Sequence, residues 1–111
     1  ENVVIPDNNP AGAVSVATVE SAFCARPEVI VNFVIRHTYI GDLVVDLIDP
    51  SGAVLNLHNR TGASTDDLMV SRTAYASHTT GMAGQWRLFV RDLAAQDTGI
   101  IESFGLTFNC R

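Results

Sequence analysis

The stretch Val29–Asn59, VIVNFVIRHTYIGDLVVDLIDPSGAVLNLHN, contains most of the information about the architecture of this chain. Its first part alternates apolar and polar residues, as a strand with one buried face does. The alternation resumes from Leu43 to Ile48, after a tight connection. The tetrapeptide at 49–52, DPSG, combines proline and glycine in a strong turn signal, and a returning strand follows it. The stretch therefore predicts three consecutive antiparallel strands.

The rest of the sequence repeats this pattern of short strands and polar turns, at intervals of about 8–12 residues. No window keeps helical periodicity between credible helix caps. We therefore predict an all-β antiparallel sandwich that forms a single domain over residues 1–111. Its eight or so strands are Val3–Ile5, Ala13–Val19, Val29–Arg36, Leu43–Ile48, Val54–His58, Leu68–Tyr75, Gln85–Asp92 and Ile100–Asn109.

Composition excludes several classes of function. The 111 residues suffice for one domain with one core, and no apolar run approaches the roughly 20 residues of a membrane helix. The net charge is -5, and all seven basic residues are arginines. An acidic chain without a basic stripe is a poor candidate for binding nucleic acid, because such binding depends on neutralising phosphates. We expect no nucleic-acid partner and no membrane partner.

The two cysteines, Cys24 and Cys110, are too far apart in sequence for a redox or zinc pair. If successive strands run up and down, the loops alternate between the two ends of the sandwich, and both cysteines fall at the same end. A disulfide between them would close nearly the whole chain and contribute roughly 4–5 kcal/mol in a loop-entropy model. We predict this disulfide and, with it, an extracellular or periplasmic location. The alternative is two free buried cysteines in a cytosolic protein.

Acidic residues concentrate at the opposite end in the same alternating scheme. Carboxylates that converge from loops, together with backbone carbonyls, suit Ca²⁺, which takes about 6–8 oxygen ligands. The candidate cofactor is therefore a structural Ca²⁺, with Asp7, Asp42 and Asp97 as the first candidate ligands. The alternative is that aspartate simply favours turns, where its side chain caps backbone amides. The acids at this end are Asp7, Asp42, Asp66, Asp67, Asp92, Asp97 and Glu102.

No catalytic constellation stands out. His58 and Ser64, with Asp66 or Asp67, contain the residue types of a hydrolase triad, but there is no nucleophile elbow and no evident oxyanion hole. The three histidines, His37, His58 and His78, lack zinc-ligand spacing. We expect them to be hydrogen-bonded residues at the edge of the core.

Short motifs along the chain resemble the P domain, also called the Homo B domain, of secreted proteases of the proprotein convertase type. The resemblance extends from Val3 to Phe108. The residues that carry it are HTYIGDL at 37–43, PSG at 50–52, LHNRTG at 57–62, GQWRLFV at 84–90, Asp92, DTG at 97–99 and FGL at 104–106.

This resemblance implies a jelly-roll-like β-sandwich that follows a protease catalytic domain. In kexin-like and furin-like convertases the P domain packs on the subtilisin-like domain and is needed for its folding and stability. In bacteria, similar domains follow subtilisin-like proteases, metalloproteases and aminopeptidases. The catalytic residues belong to the other domain, so none is expected here. Many animal convertases have Arg-Gly-Asp where this chain has Ile40-Gly41-Asp42, and this difference favours a secreted bacterial enzyme.

We therefore expect a non-catalytic accessory module at the C-terminus of a larger secreted protease. Its expected partner is the catalytic domain of that protease, and the protein substrate is a second candidate partner. Val44, Ile48 and Phe89 have outward parity and are the candidates for an apolar interface patch. A different class of function is a carbohydrate-binding or matrix-binding module, which would need a row of exposed aromatic residues. The alternation predicts instead that the candidate aromatic side chains point inward, namely Phe33, Trp86, Phe104 and Phe108.

Overall fold

The residues that the structure describes form eight strands, in agreement with the predicted eight or so. The structure, a computed structural model, describes residues 2–19, 27–76, 83–95 and 98–110. A 3-10 turn at Ile40–Asp42 precedes the fourth strand. Within the described ranges, no helix is long and apolar enough to cross a membrane. The strands are β1 (Val3–Ile5), β2 (Asn9–Val19), β3 (Pro27–His37), β4 (Leu43–Ile48), β5 (Val54–Asn59), β6 (Leu68–Ala76), β7 (Gly84–Asp92) and β8 (Gly99–Cys110).

The strands form two four-stranded antiparallel sheets with the order β1-β8-β3-β6 in one and β2-β7-β4-β5 in the other. Only β4 and β5 are consecutive strands that pair with each other, across the predicted turn at 49–52. Every other connection between the described strands passes from one sheet to the other, which is the strand order of a jelly roll. The predicted jelly-roll-like sandwich is therefore confirmed.

The strand register places the turns at alternating ends of the sandwich, as expected. Asp92 at the end of β7 is opposite both Asn9 and Leu43, and His37 at the end of β3 is opposite Gly99. The ends of β1, β3, β5 and β7 therefore lie together at one end of the molecule, which we call the acidic end. Asp92 and Asp42 are both at this end, and both are buried.

The core lies between the two sheets and follows the predicted alternation. Trp86 and Phe33 are the largest fully buried side chains, at 0% and 1% exposure. Each large apolar side chain removed from water in this way stabilises the fold by about 1.5–3 kcal/mol. Most of the other core residues lie at inward positions of β3, β4 and β7, namely Val29, Val31, Ile35, Leu43, Val45, Leu47, Leu88 and Val90.

Two details depart from strict alternation. Val44 was expected to be exposed, but only 7% of its surface is accessible. It does lie on the outer face, where its neighbours across the sheet are Asn59 and Arg91, and their longer side chains flank it. In β5, Leu57 and His58 are consecutive and both buried, because a bulge opposite β4 adds a residue there and shifts the register.

Candidate functional site

An apolar surface covers the outer face of the sheet β2-β7-β4-β5. It consists of Val14, Val16, Ile48, Val54 and Phe89, and we call it the apolar outer face. The register makes these residues neighbours: Val14 is opposite Phe89, and Ile48 is opposite Val54. The exposed fractions of Val14, Val16 and Val54 are 42%, 43% and 61%, while Ile48 and Phe89 are half-buried. Arg87 lies between Val16 and Ile48, and Asp46 is opposite Phe89, so apolar and charged side chains are mixed on this surface, as they are in many protein–protein contacts.

The sequence prediction found only part of this surface. Ile48 and Phe89 were among the predicted interface residues, and the structure brings both into the apolar outer face. The third, Val44, lies on the same face but is covered. Val14 and Val16 were missed because the weak alternation of β2 leaves its facing ambiguous. The pairing of β2 with the strongly alternating β7 resolves it, since Ala13 is opposite the buried Val90.

The outer face of the other sheet also has apolar side chains, and Val34 is opposite Met69 there. Val4 and Met69 are highly exposed there, at 70% and 67%, but they lie on the two opposite edge strands. Between them, Asn32 of β3 donates a side-chain hydrogen bond to Thr107 of β8 at 3.3 Å. The two outer faces therefore differ, and the apolar outer face is the stronger candidate for a docking surface.

Three charged residues have outward parity on the strands of the apolar outer face. Arg87 and Arg91 come from β7, and Asp46 comes from β4, so the face has a formal charge of +1 in a chain whose net charge is -5. The guanidinium carbon of Arg91 lies 5.3 Å from the centroid of the Phe89 ring. Its Nη2 atom is 3.7 Å from Oδ2 of Asp46, and Oδ1 of the same carboxylate accepts a hydrogen bond from Asn56 at 2.9 Å. The Nε atom of Arg91 is buried and has no hydrogen-bond partner among the described residues.

At the acidic end, carboxylates surround Arg36. Its Nε and Nη2 atoms donate to the two oxygens of Glu102 at 3.0 and 3.3 Å, and Nη1 donates to Asp67 at 3.4 Å. The hydrogen bond to Glu102 is the main cause that raises the pKa of Arg36, followed by the negative charge of the same residue. A shallow cleft of about 370 Å³ opens beside this group, between Val4 and Ile100. Because all three guanidinium nitrogens already donate to carboxylates, the cleft has no uncommitted positive charge.

His37 and Asp92 form a fully buried pair at the same end. The backbone N–H of Tyr39 donates to Nδ1 of His37 at 3.0 Å, so the ring proton is on Nε2. That Nε2–H donates to a carboxylate oxygen of Asp92 at 2.9 Å, and the other oxygen accepts the backbone N–H of Ala94 at 3.1 Å. Both ring nitrogens of His37 are therefore engaged, and the pair links the ends of β3 and β7.

The remaining candidates for catalysis do not assemble into a triad. Nε2 of His58 donates to the backbone carbonyl of Ile40 at 2.9 Å. The carboxylate of Asp67 accepts the backbone N–H of His37 at 3.1 Å, in addition to its contact with Arg36. The hydrogen-bonded histidines predicted from the sequence are confirmed for His37 and His58, whereas His78 lies outside the described residues.

The predicted metal ligands are only partly described. Asp42 is buried in the 3-10 turn, and Asp7 is exposed in the turn between β1 and β2. Asp97 lies outside the described residues. In the part of the chain that the structure describes, no group of three or more His, Cys, Asp or Glu side chains is arranged to hold a metal ion. The predicted calcium site thus stays a prediction.

The predicted disulfide also involves undescribed residues, because Cys24 lies outside the described ranges. The backbone of Cys110 is opposite Pro27, which follows Cys24 by only three positions in the sequence. The disulfide stays a prediction, and the pairing of β3 with β8 is compatible with it.

The aromatic side chains that the structure describes do not form a carbohydrate-binding row. Trp86 and Phe33 are buried in the core, and Phe104 is partly buried against it. The side chain of Phe108 is not among those described. Tyr39, at 36% exposure, is the most exposed aromatic side chain in the described ranges.

Comparison with known proteins gives a consistent set of relatives. The family model described as proprotein convertase P-domain matches residues 27–108. The chain is 49% identical over 111 residues to leupeptin-inactivating enzyme 1 of Streptomyces exfoliatus, covering 96% of the chain and 24% of that protein. It is 39% identical over 75 residues to the transglutaminase-activating metalloprotease of Streptomyces mobaraensis, and this match covers 67% of the chain and 10% of that protein.

A calcium-dependent protease of Trichormus variabilis is 42% identical over 80 residues, which cover 62% of this chain and 12% of that protein. The chain thus spans about a quarter or less of the length of these relatives. Among solved structures, the serine protease of Aeromonas sobria, determined in complex with its chaperone ORF2, matches with a TM-score of 0.60 at 16% identity. That match covers 100% of this chain and 23% of the other, and it supports the sandwich fold.

Proposed function

The chain belongs to the proprotein convertase P-domain family, and we propose that it is an accessory domain that packs on the catalytic domain of a secreted bacterial protease and stabilises it. The catalytic domain would be the remaining part of the same polypeptide. This proposal is supported by the relatives, which are proteases of which a chain of this size forms a quarter or less.

The observation that carries the proposal is the apolar outer face. All four strands of one sheet contribute to it, and the exposed fractions of Val14, Val16 and Val54 are between 42% and 61%. Covering such side chains with a partner stabilises the complex by about 25 cal/mol for each Å² of apolar surface removed from water. Since folding of this chain alone leaves them in water, the gain becomes available only when another domain packs there.

The reaction itself would take place in the catalytic domain. Both described histidines are committed to structural hydrogen bonds, His37 to Asp92 and Tyr39, and His58 to the carbonyl of Ile40. Both ring nitrogens of His37 are engaged in this way, so His37 has no nitrogen left to act as a general base toward a nearby hydroxyl. This chain would therefore contribute stability, and through the interface it could also help to align a protein substrate.

The test replaces one valine on each outer face by aspartate in the complete protease. Val54→Asp changes the apolar outer face, and the matched control Val4→Asp changes an edge-strand valine of similar exposure in the other sheet, at 61% and 70%. We expect Val54→Asp to lower the yield of active protease and the midpoint of its thermal inactivation, whereas Val4→Asp has little effect. In the 111-residue chain alone, both variants should change the unfolding free energy by less than about 0.5 kcal/mol. Equal effects of the two variants on the complete protease would contradict the proposal.

We also propose a structural Ca²⁺ at the acidic end, with Asp7, Asp42 and Asp97 among its ligands. Two relatives, from Trichormus variabilis and a Nostoc species, bear the name calcium-dependent protease. Asp7 and Asp42 both follow strands that finish at the acidic end. Because the described residues contain no complete group of ligands, such a site would need Asp97 or backbone oxygens to complete it.

A further inference from the structure

We propose that Arg91 is the polar anchor of the proposed interface and binds a carboxylate of the catalytic domain. This inference rests on the proposed function, because it concerns the same apolar outer face. It adds the chemistry of the partner surface, which should present an aspartate or glutamate side chain surrounded by apolar residues.

The first argument is that Arg91 is incompletely satisfied within its own chain. Its Nε atom is buried without a hydrogen-bond partner among the described residues, and its contact with Asp46 measures 3.7 Å. A charge-assisted hydrogen bond between a guanidinium and a carboxylate is shorter, at about 2.7–2.9 Å. Asp46 is moreover shared with Asn56, which donates to it at 2.9 Å. Because Nε itself is buried, a carboxylate from outside the chain would bind the terminal Nη atoms, and the contact of Nη2 with Asp46 is long enough for a second acceptor to be favourable.

The second argument is the position of Arg91. It belongs to β7, a central strand of the sheet, and its guanidinium lies over the Phe89 ring at 5.3 Å. Its side chain is 30% exposed, so the end of the guanidinium can be reached from solvent. Arginine supported by an aromatic ring and surrounded by apolar side chains is a frequent centre of binding energy in protein interfaces.

The third argument is charge. The outward positions of these strands bear Arg87, Arg91 and a single acid, Asp46, since Asp92 of β7 is buried on the inner side, whereas the whole chain has a net charge of -5. The positive sign is therefore local to the proposed interface. Since a planar guanidinium binds a carboxylate through two parallel hydrogen bonds, an acidic side chain fits it better than a single carbonyl oxygen.

The test compares Arg91→Met with Arg87→Met, both in the complete protease and in the 111-residue chain alone. Arg87 is the matched control, because it lies on the same face of the same strand and its Nη2 atom donates to Gln85 at 3.2 Å. We expect Arg91→Met to lower the midpoint of thermal inactivation of the complete protease by about 4 °C or more, and Arg87→Met by much less. In the chain alone, Arg91→Met should leave the midpoint unchanged or raise it, because it removes an unpaired buried donor.

Three results would overturn the inference. A similar fall for both variants in the complete protease would show that Arg91 has no special partner. A fall for Arg91→Met of the same size in the chain alone would show that its role is internal. If aspartate and glutamate residues of the catalytic domain are replaced by alanine and every replacement is additive with Arg91→Met, then no carboxylate is bound there. These results are distinguishable from failure of the proposed function, in which Val54→Asp would also leave the complete protease unaffected.

Discussion

Gly99 and Gly105 lie in the same strand, β8, and have opposite surroundings. A Cβ atom on Gly99 would lie 2.7 Å from Cδ2 of His37 and would press on the carbonyl oxygen of Arg36. A Cβ atom on Gly105 would have no atom within 4 Å. Both glycines belong to motifs shared with the family, DTG and FGL, so the sequence does not distinguish their roles. Only Gly99 is required by the close approach of β3.

This difference predicts the effect of alanine at each position. Gly99→Ala should lower the free energy of unfolding by about 1–3 kcal/mol, because β3 and the His37 ring must move away. Gly105→Ala should be neutral or stabilising by a few tenths of a kcal/mol, since alanine restricts the unfolded chain more than glycine does. Urea unfolding of the 111-residue chain measures both. A Gly99→Ala variant as stable as Gly105→Ala would show that β3 yields easily at this point.

The buried pair of His37 and Asp92 shows how residue-level chemistry joins distant parts of the chain. The sequence places His37 and Asp92 at the ends of two strands, and it predicts hydrogen-bonded histidines. It does not indicate which carboxylate, of the many acids at that end, would be the partner. The packing of the two sheets brings these two side chains to 2.9 Å, and a backbone amide sets the tautomer of the ring.

At the scale of the elements, Arg72 joins the edges of the two sheets. It lies at an inward parity of the edge strand β6, opposite the buried Val31. Its guanidinium crosses the open side of the sandwich and donates to the carbonyl oxygens of Asn56 and Leu57 in β5, at 3.2 and 3.4 Å. Because β5 is the edge strand of the other sheet, these carbonyls would otherwise be available to the strand of another molecule.

We therefore predict that Arg72→Ala destabilises the protein modestly and promotes association. The loss of two hydrogen bonds at an exposed site should lower the unfolding free energy by about 0.5–1.5 kcal/mol. Light scattering below the unfolding midpoint should show faster aggregation than in Arg87→Ala, which removes an arginine from a central strand. If the two variants aggregate at equal rates, Arg72 does not protect the edge.

At the scale of the whole molecule, the calcium proposal has a direct test. A ligand that binds only the folded state raises the unfolding midpoint, and its stabilising free energy grows with the logarithm of the free ligand concentration above the Kd. We expect the midpoint of the 111-residue chain to be higher in millimolar Ca²⁺ than in EDTA, and Mg²⁺ to have a smaller effect. Asp97→Asn should reduce the difference. An identical midpoint in Ca²⁺ and EDTA would remove the proposed site and leave the acids at this end with internal roles only.

Those internal roles are already substantial. Asp67 and Glu102 bind Arg36, Asp67 also accepts a backbone amide, and Asp92 is committed to His37 and Ala94. For these three acids, the simpler interpretation of the acidic end holds, in which aspartate and glutamate engage nearby amides and cations of the same chain. The calcium proposal therefore does not include Asp67, Asp92 or Glu102.

Much of the architecture followed from local patterns in the sequence. The eight strands, the inward faces of β3, β4 and β7, the turn at 49–52 and the alternation of ends all depend on side-chain parity and turn residues, which act over a few positions. The family motifs lie in the same strands and turns, so the resemblance to the P domain could also be recognised from the sequence. Ile48 and Phe89 were found as surface residues for the same reason.

Which residues lie side by side on the apolar outer face depends on the register between strands that are distant in sequence. β2 and β4 both pair with β7, although β2 is remote from β7 in sequence. This pairing places Val14 opposite Phe89 and surrounds Arg91, whose Nε atom has no hydrogen-bond partner among the described residues. Similarly, Arg72 reaches β5 only because the two sheets stack. Parity tells which side of a strand a residue faces, but not which residues of other strands stand beside it. The physical reason is that neighbours across a sheet depend on how strands far apart in sequence are aligned, and this alignment is set by the packing of the whole sandwich.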